Sequence, residues 1–152
     1  MNDTGALSGL RVIELGSDIA VPYAGWLLAA LGADVVKVEP AGAGDPLRHH
    51  GARAASGSSG LFEYLNANKR SVATTIHRGP LMDRLLADAD ALIEDLGPGG
   101  LAAIGYPDDV LTELNSTLVR VRLSDFGQDG PWRDVPATGF TLQAMAGWVA
   151  AR

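Results

Sequence analysis

LRVIELGSDIAVPYAGWLLAALGADVVKV, residues 10–38, is the stretch that decides the fold. Its first six residues are rich in branched apolar side chains, which is typical of a buried strand. Pro22 suits the first turn of a helix, and Gly32 is typical of a helix end, so we expect a well-buried helix up to Leu31. A second strand over 33–38 completes the unit. Strand, helix and strand in about thirty residues predict two parallel strands joined by a right-handed crossover.

The alternation of strands and helices continues along the chain. We therefore predict an α/β fold in one Rossmann-like domain over 1–152, with a doubly wound and mostly parallel sheet. Residues 40–60 are rich in Gly, Ala and Ser without apolar periodicity, which predicts a long loop. The other expected elements are a helical turn over 61–66, strands over 70–76, 91–94 and 118–123, a tight turn over 97–100, and helices beginning at Pro80 and spanning 107–114 and 141–151.

Composition excludes several classes of function. A net charge of −6 disfavours a nucleic-acid or anionic-membrane surface, since both call for a basic face. The absence of cysteine excludes thiol chemistry and disulfides, and three histidines make a histidine-rich metal site unfavourable. No signal-like or bilayer-spanning run is visible. We expect a soluble cytoplasmic protein without metal.

The last predicted helix, TLQAMAGWVAAR, is apolar near its end and has no stop signal behind Trp148 and Val149. A free-standing domain rarely finishes in this way. The expectation is therefore that the chain is part of something longer.

A dinucleotide or methyltransferase site is disfavoured at the first turn. Such a site needs several spaced glycines, so that the backbone can approach pyrophosphate. Here Gly16 is followed by no second glycine until Gly25.

Several segments together resemble one enzyme family. They are LSGLRVIELG at 7–16, IAVPYAGWLLAALGADVVKVEP at 19–40, GDPLR at 44–48, NKRSV at 68–72, ADALIEDLGPG at 89–99, SDFGQDGPWRD at 124–134 and QAMAGW at 143–148. In this order and spacing the sequence resembles the amino-terminal portion of family III coenzyme A transferases. That group includes formyl-CoA transferase, carnitine CoA-transferase and α-methylacyl-CoA racemase.

The resemblance implies covalent catalysis by a carboxylate. An aspartate attacks an acyl-CoA thioester to give an acyl-enzyme anhydride, and a carboxylic acid then accepts the coenzyme. In the family this aspartate follows the QAMAG helix by a couple of dozen residues, so the resemblance implies no catalytic residue within this chain. It also implies a homodimer in the full-length protein.

The resemblance further implies which residues lie beside coenzyme A. Ile19 and Ala20 would approach it after the first strand, although packing of the helix explains these two residues equally well. Two other stretches would flank the adenine and ribose, namely Thr74, Thr75 and His77, and Asp95, Leu96 and Gly97.

Departures from the family pattern fall where charge matters. Pro40, which many relatives share, replaces an arginine of formyl-CoA transferase, His77 replaces a frequent lysine, Ala103 replaces a frequent basic residue, and Asp125 replaces a glycine. We therefore expect this chain to bind coenzyme A weakly or not at all. Alternation in the last strand places Arg120 and Arg122 on one face and valines on the other.

The simpler interpretation of these two arginines is a solvent-exposed face, and the alternative is that they replace the missing phosphate contacts. Lys69 and Arg70 are either surface charges or ligand residues. Arg48 is expected to pair with a neighbouring acid.

Within the family, racemases carry a His-Asp pair that moves a proton. The matching segment here is Gly139-Phe140-Thr141, and phenylalanine cannot transfer a proton, so transferase is the favoured subclass. The lost basic positions also keep open a catalytically inactive structural or regulatory domain of a larger assembly.

Overall fold

The computed structural model describes residues 5–150. Five strands form one parallel sheet in the order β3-β2-β1-β4-β5, so the first strand is central. The strands are β1 (Arg11–Leu15), β2 (Asp34–Pro40), β3 (Arg70–Thr74), β4 (Ala91–Glu94) and β5 (Val119–Arg122). This order and the parallel pairing confirm the predicted Rossmann-like α/β fold.

Six α-helices occur in the described residues, and those that pack on the sheet cover both of its faces. The six are α1 (Ala20–Ala30), α2 (Gly60–Leu65), α3 (Pro80–Ala87), α4 (Gly100–Ala103), α5 (Asp108–Leu114) and α6 (Gly139–Met145). On one face, α1 buries Val21 and Ala29 against Val12, Val35 and Ile93. The opposite face holds the larger core, in which side chains of α3 and α5 pack on alternate residues of β1, β2 and β4. The sheet is therefore doubly wound.

The predicted long loop over 40–60 is more ordered than expected. Strand β2 runs to Pro40, and a short 3₁₀ helix spans Pro46–His49, begun by Asp45, whose side chain accepts a hydrogen bond from the Leu47 N–H at 2.7 Å. Leu47 packs with Phe62 and Leu65 of α2 in a small separate core. A single apolar residue gives no periodicity, which explains why the sequence pattern predicted only a loop.

Three other expectations need correction. Helix α6 ends at Met145, before a left-handed Gly147, and residues 151–152 of the predicted helix lie outside the described residues. Strand β3 ends at Thr74 rather than at 76. A four-residue helix, α4, begins at Gly100, the last residue of the predicted turn at 97–100.

One side of α1 and β5 is exposed, contrary to expectation. Tyr23 and Leu27 of α1 and Leu31 directly after it are exposed, although the helix was expected to be well buried. In β5, Val119 is 59% exposed and Arg120 and Arg122 are half-buried, so the solvent-exposed face carries the valines. Alternation identified the two faces correctly, but α1 extends over β1, β2 and β4 and leaves the α1 side of β5 open.

Candidate functional site

The carboxyl ends of β1, β4 and β5 open onto a cleft of about 830 Å³. Parallel α/β sheets bind ligands at this edge. The cleft is lined by two arginines, four aspartates and small or apolar residues, namely Ser17, Asp18, Ala20, Asp95, Gly97, Pro98, Arg122, Leu123, Ser124, Asp125, Gly127, Arg133, Asp134, Val135 and Pro136.

A smaller cleft of about 230 Å³ lies beside it, at the carboxyl ends of β1 and β2. Its lining is mostly apolar and includes Leu15, Val38, Pro40, Ile76 and Leu96. Asp95 lines both clefts and so forms part of the wall between them.

Four of the eight predicted site residues line these clefts. Ala20 and Gly97 line the large cleft, Leu96 lines the small one, and Asp95 lines both. Ile19, the residue before α1, is exposed and lines neither of the two. The structure therefore does not bring Ile19 into either cleft.

The predicted residues after β3 are not brought into either cleft. The Thr74 carbonyl accepts a hydrogen bond from the Ala41 N–H at 2.9 Å, which fastens the end of β3 to the end of β2. Thr75 and His77 are exposed. Ile76, between them, is the residue of this stretch that reaches the small cleft, as alternation about an extended segment would have suggested.

The turn after β1 needs Gly16 because the backbone is crowded there. A Cβ atom at Gly16 would overlap the Val21 side chain and lie 3.2 Å from the Asp95 Oδ1 atom. This close approach positions the Ser17 and Asp18 amides next to the Asp95 carboxylate. Burial raises the pKa of Asp95, and the two backbone N–H groups act in the opposite direction.

Arg122 and Arg120 have different positions. Arg122 lines the large cleft, pairs with Asp108, and has its Nε atom 3.8 Å from the buried Glu94 Oε1 atom. Arg120 also pairs with Asp108, at 3.0 Å, and donates to the Thr112 hydroxyl, outside the cleft. Burial raises the pKa of Glu94, while the Leu96 N–H and Arg122 oppose that rise.

The residues that depart from the family pattern are separated in space. Asp125 lines the large cleft and Pro40 the small one, whereas His77 and Ala103 are exposed outside both. Among the departures, Asp125 is therefore the one that adds negative charge to a cleft.

A buried cluster of four charges was missed by sequence reasoning. The Lys37 Nζ atom lies 3.0 Å from the Glu14 Oε1 atom and 2.7 Å from the Asp45 Oδ2 atom, and it donates to the Gly16 carbonyl. The Lys69 Nζ atom lies 2.7 Å from the Glu14 Oε2 atom and donates to the Pro22 carbonyl. The side chain of Lys69 is 1% exposed, so its interpretation as a surface charge is wrong.

The expected pairing of Arg48 with an acid is confirmed. Its guanidinium donates two hydrogen bonds of 2.7 Å to the Glu39 carboxylate, which also accepts from the Ser71 hydroxyl and the Asp45 N–H. The Arg48 hydrogen bonds are the main cause that lowers the pKa of Glu39 to about 2. Glu39 and the charge cluster together hold the 3₁₀ segment over the small cleft. Arg70 pairs instead with Asp34, at the amino-terminal end of β2.

Metal ligation and membrane insertion receive no support from residues 5–150. In that part of the chain no three acidic or histidine side chains are grouped as a metal site would need. None of its helices has the length and apolar character that would let it cross a bilayer.

Comparison with known proteins gives consistent results. The model of CoA-transferase family III matches residues 7–152. The chain is 40% identical to the succinyl-CoA–D-citramalate CoA-transferase of Chloroflexus aurantiacus over 93% of its own length and 36% of that protein. It is 37% identical to the formyl-CoA:oxalate CoA-transferase of Streptomyces avermitilis, over 95% of this chain and 36% of the relative.

A solved structure agrees with these matches. The crystal structure of a CAIB/BAIF family protein from Brucella suis superposes with a TM-score of 0.84 at 34% identity, covering 94% of this chain and 39% of that one. The chain thus spans little more than a third of the length of these proteins. It belongs to CoA-transferase family III.

Proposed function

We propose that this chain is the amino-terminal, coenzyme A-binding portion of an acyl-CoA:carboxylate CoA-transferase. The full protein would act in the cytoplasm as a homodimer, on an acyl-CoA and a carboxylic acid acceptor. Its nucleophile would be an aspartate outside this chain, forming an acyl-anhydride intermediate.

The observation that carries this proposal is the convergence of two predicted segments on one cleft. Ala20 follows β1, and Asp95 and Gly97 follow β4, yet all three line the same cavity because β1 and β4 are parallel neighbours. The relatives indicate the type of reaction, since their names describe transfer of coenzyme A between an acyl-CoA and a carboxylic acid.

The geometry supports a role in holding a thioester rather than in attacking it. Ser17, Asp18 and Ala20 line the large cleft with short side chains, and its volume of about 830 Å³ leaves room for part of a thioester ligand. The Gly97 backbone is left-handed, with φ of 78°, and a Cβ there would have no atom within 4 Å, so open space lies beside it.

A pair of substitutions on α1 tests the proposal. Ala20→Phe places a ring in the large cleft, whereas Ala30→Phe places the same ring at the exposed far end of the same helix. We expect calorimetric titration with acetyl-CoA to detect weak binding to the parent chain and to Ala30→Phe, and none to Ala20→Phe. Equal binding by all three proteins would refute the proposed site.

A catalytically inactive structural or regulatory domain is the second candidate. Asp125 in the large cleft and the absence of a basic side chain at 40 and 103 favour it. The same titration separates the two functions, because a domain of this second kind would not bind acetyl-CoA in any variant.

A further inference from the structure

The basic side chains of the large cleft are already neutralised by acids. Arg122 pairs with Asp108 and approaches Glu94, and Arg133 lies 3.3 Å from the carboxylate of its neighbour Asp134. Four aspartates share the lining with these two arginines. The excess charge of the lining is therefore negative.

The lining of the small cleft also carries excess negative charge. Its basic lining residue, Lys37, donates hydrogen bonds to the Glu14 carboxylate and the Gly16 carbonyl, and its ammonium group lies 2.7 Å from the Asp45 Oδ2 atom in an ion pair. The acids Glu39, Asp45 and Asp95 line the same cavity. Across both clefts of the described chain, every lining cation has an acidic partner within 4 Å.

Several carboxylates of the cleft walls, by contrast, are not paired with a cation. The Asp95 Oδ2 atom is buried and accepts no hydrogen bond from residues 5–150, and Asp18 and Asp125 are exposed at the large cleft. Carboxylates of this kind accept hydrogen bonds from amide N–H and hydroxyl groups, and they repel phosphate.

We propose that these clefts discriminate by charge, favouring the uncharged, amide-bearing arm of a CoA thioester over its phosphorylated end. The inference rests on the proposed function and narrows it. The pantetheine arm carries two amide N–H groups and a hydroxyl that match free carboxylate oxygens. Each phosphate would meet an acidic lining whose cations are already engaged.

The test compares the 152-residue chain with coenzyme A, 3′-dephospho-coenzyme A and pantetheine by calorimetric titration. At about 20 mM salt, where charges act over roughly 20 Å, we expect pantetheine to bind at least as tightly as coenzyme A, with the dephosphorylated form between them. Raising the salt to about 300 mM should tighten the binding of coenzyme A by about threefold or more and leave pantetheine unchanged, because screening weakens repulsion.

A charge-only variant supplies the internal control. Asp125→Asn should tighten the binding of coenzyme A and not that of pantetheine, whereas Asp129→Asn, four residues on and outside the cleft lining, should have a smaller effect on coenzyme A and none on pantetheine. Coenzyme A that binds tighter than pantetheine and is weakened by salt would overturn the inference and leave the proposed function standing. Binding of none of the three probes would overturn both.

Discussion

Gly25 in the middle of α1 is predicted to be indispensable for the buried charge cluster. A Cβ atom at this position would overlap the Glu14 Oε2 atom and lie 3.1 Å from the Lys69 Nζ atom. Gly25→Ala would therefore push the Glu14 carboxylate away from Lys69, and both side chains are fully buried. Breaking a buried ion pair costs about 3–5 kcal/mol.

The helix propensity of alanine offsets part of that loss. Alanine is favoured over glycine in a helix interior by about 1 kcal/mol. We therefore expect Gly25→Ala to lower the free energy of unfolding by about 2–4 kcal/mol. Urea denaturation followed by circular dichroism measures this quantity by linear extrapolation.

A matched glycine provides the control. Gly139 begins α6, and a Cβ there would have no neighbouring atom within 4 Å, so Gly139→Ala should change the free energy of unfolding by less than about 1 kcal/mol. If Gly25→Ala proved as stable as the parent chain, the overlap with Glu14 would have no energetic weight and the reasoning would be refuted. Adding Lys69→Met to Gly25→Ala should cost less than the sum of the single changes, because both act on one contact.

Three other predictions concern activity, assembly and acid. The 152-residue chain alone should show no acyl-CoA transfer in a coupled assay, and transfer at the rate of a full-length relative would contradict the position of the nucleophile. The chain should self-associate through exposed apolar surface, with Trp148 in or near the contact, and a strict monomer in sedimentation with a fully quenched Trp148 would disprove this. The Glu39–Arg48 pair should stabilise the fold fully above the ordinary pKa of 4.5 and lose its effect as the pH falls toward about 2. Glu39→Gln should therefore remove that part of the acid dependence of urea unfolding, and identical profiles for variant and parent would argue against the pair.

The sequence pattern predicted the sheet better than the interior polar groups. Branched residues in β1 and β2, with Pro22 and Gly32 between them, carry the βαβ signal because local chemistry alone determines it. The buried charge cluster around Glu14 and Lys37 could not be predicted, since a charge within a strand usually indicates an exposed face. Here each charge finds a partner from a segment distant in sequence, and a single strand does not show those partners.

In the candidate site, too, some features could be predicted from the sequence and others depended on how distant segments pack. Ala20, Asp95 and Gly97 were predicted from their resemblance to family segments, and parallel pairing brought them together. The side on which β5 is open was not predictable, because alternation defines two faces but does not say which one a helix covers. Ile76 was missed, although its alternation with Thr75 and His77 was a usable signal.

The central position of β1 has a consequence for the order of folding. Its first neighbour, β2, follows after one helix, whereas the contact of the Arg11 N–H with the Asp90 carboxylate joins positions 79 residues apart. During synthesis, the edge of β1 that pairs with β4 therefore stays unpaired until β4 has been made. Distant parallel pairing of this kind slows folding, and an open strand edge invites association with other chains. Until then, β4 and strands of other chains would compete for the open edge of β1, so the time between the synthesis of β1 and that of β4 would set the risk of association.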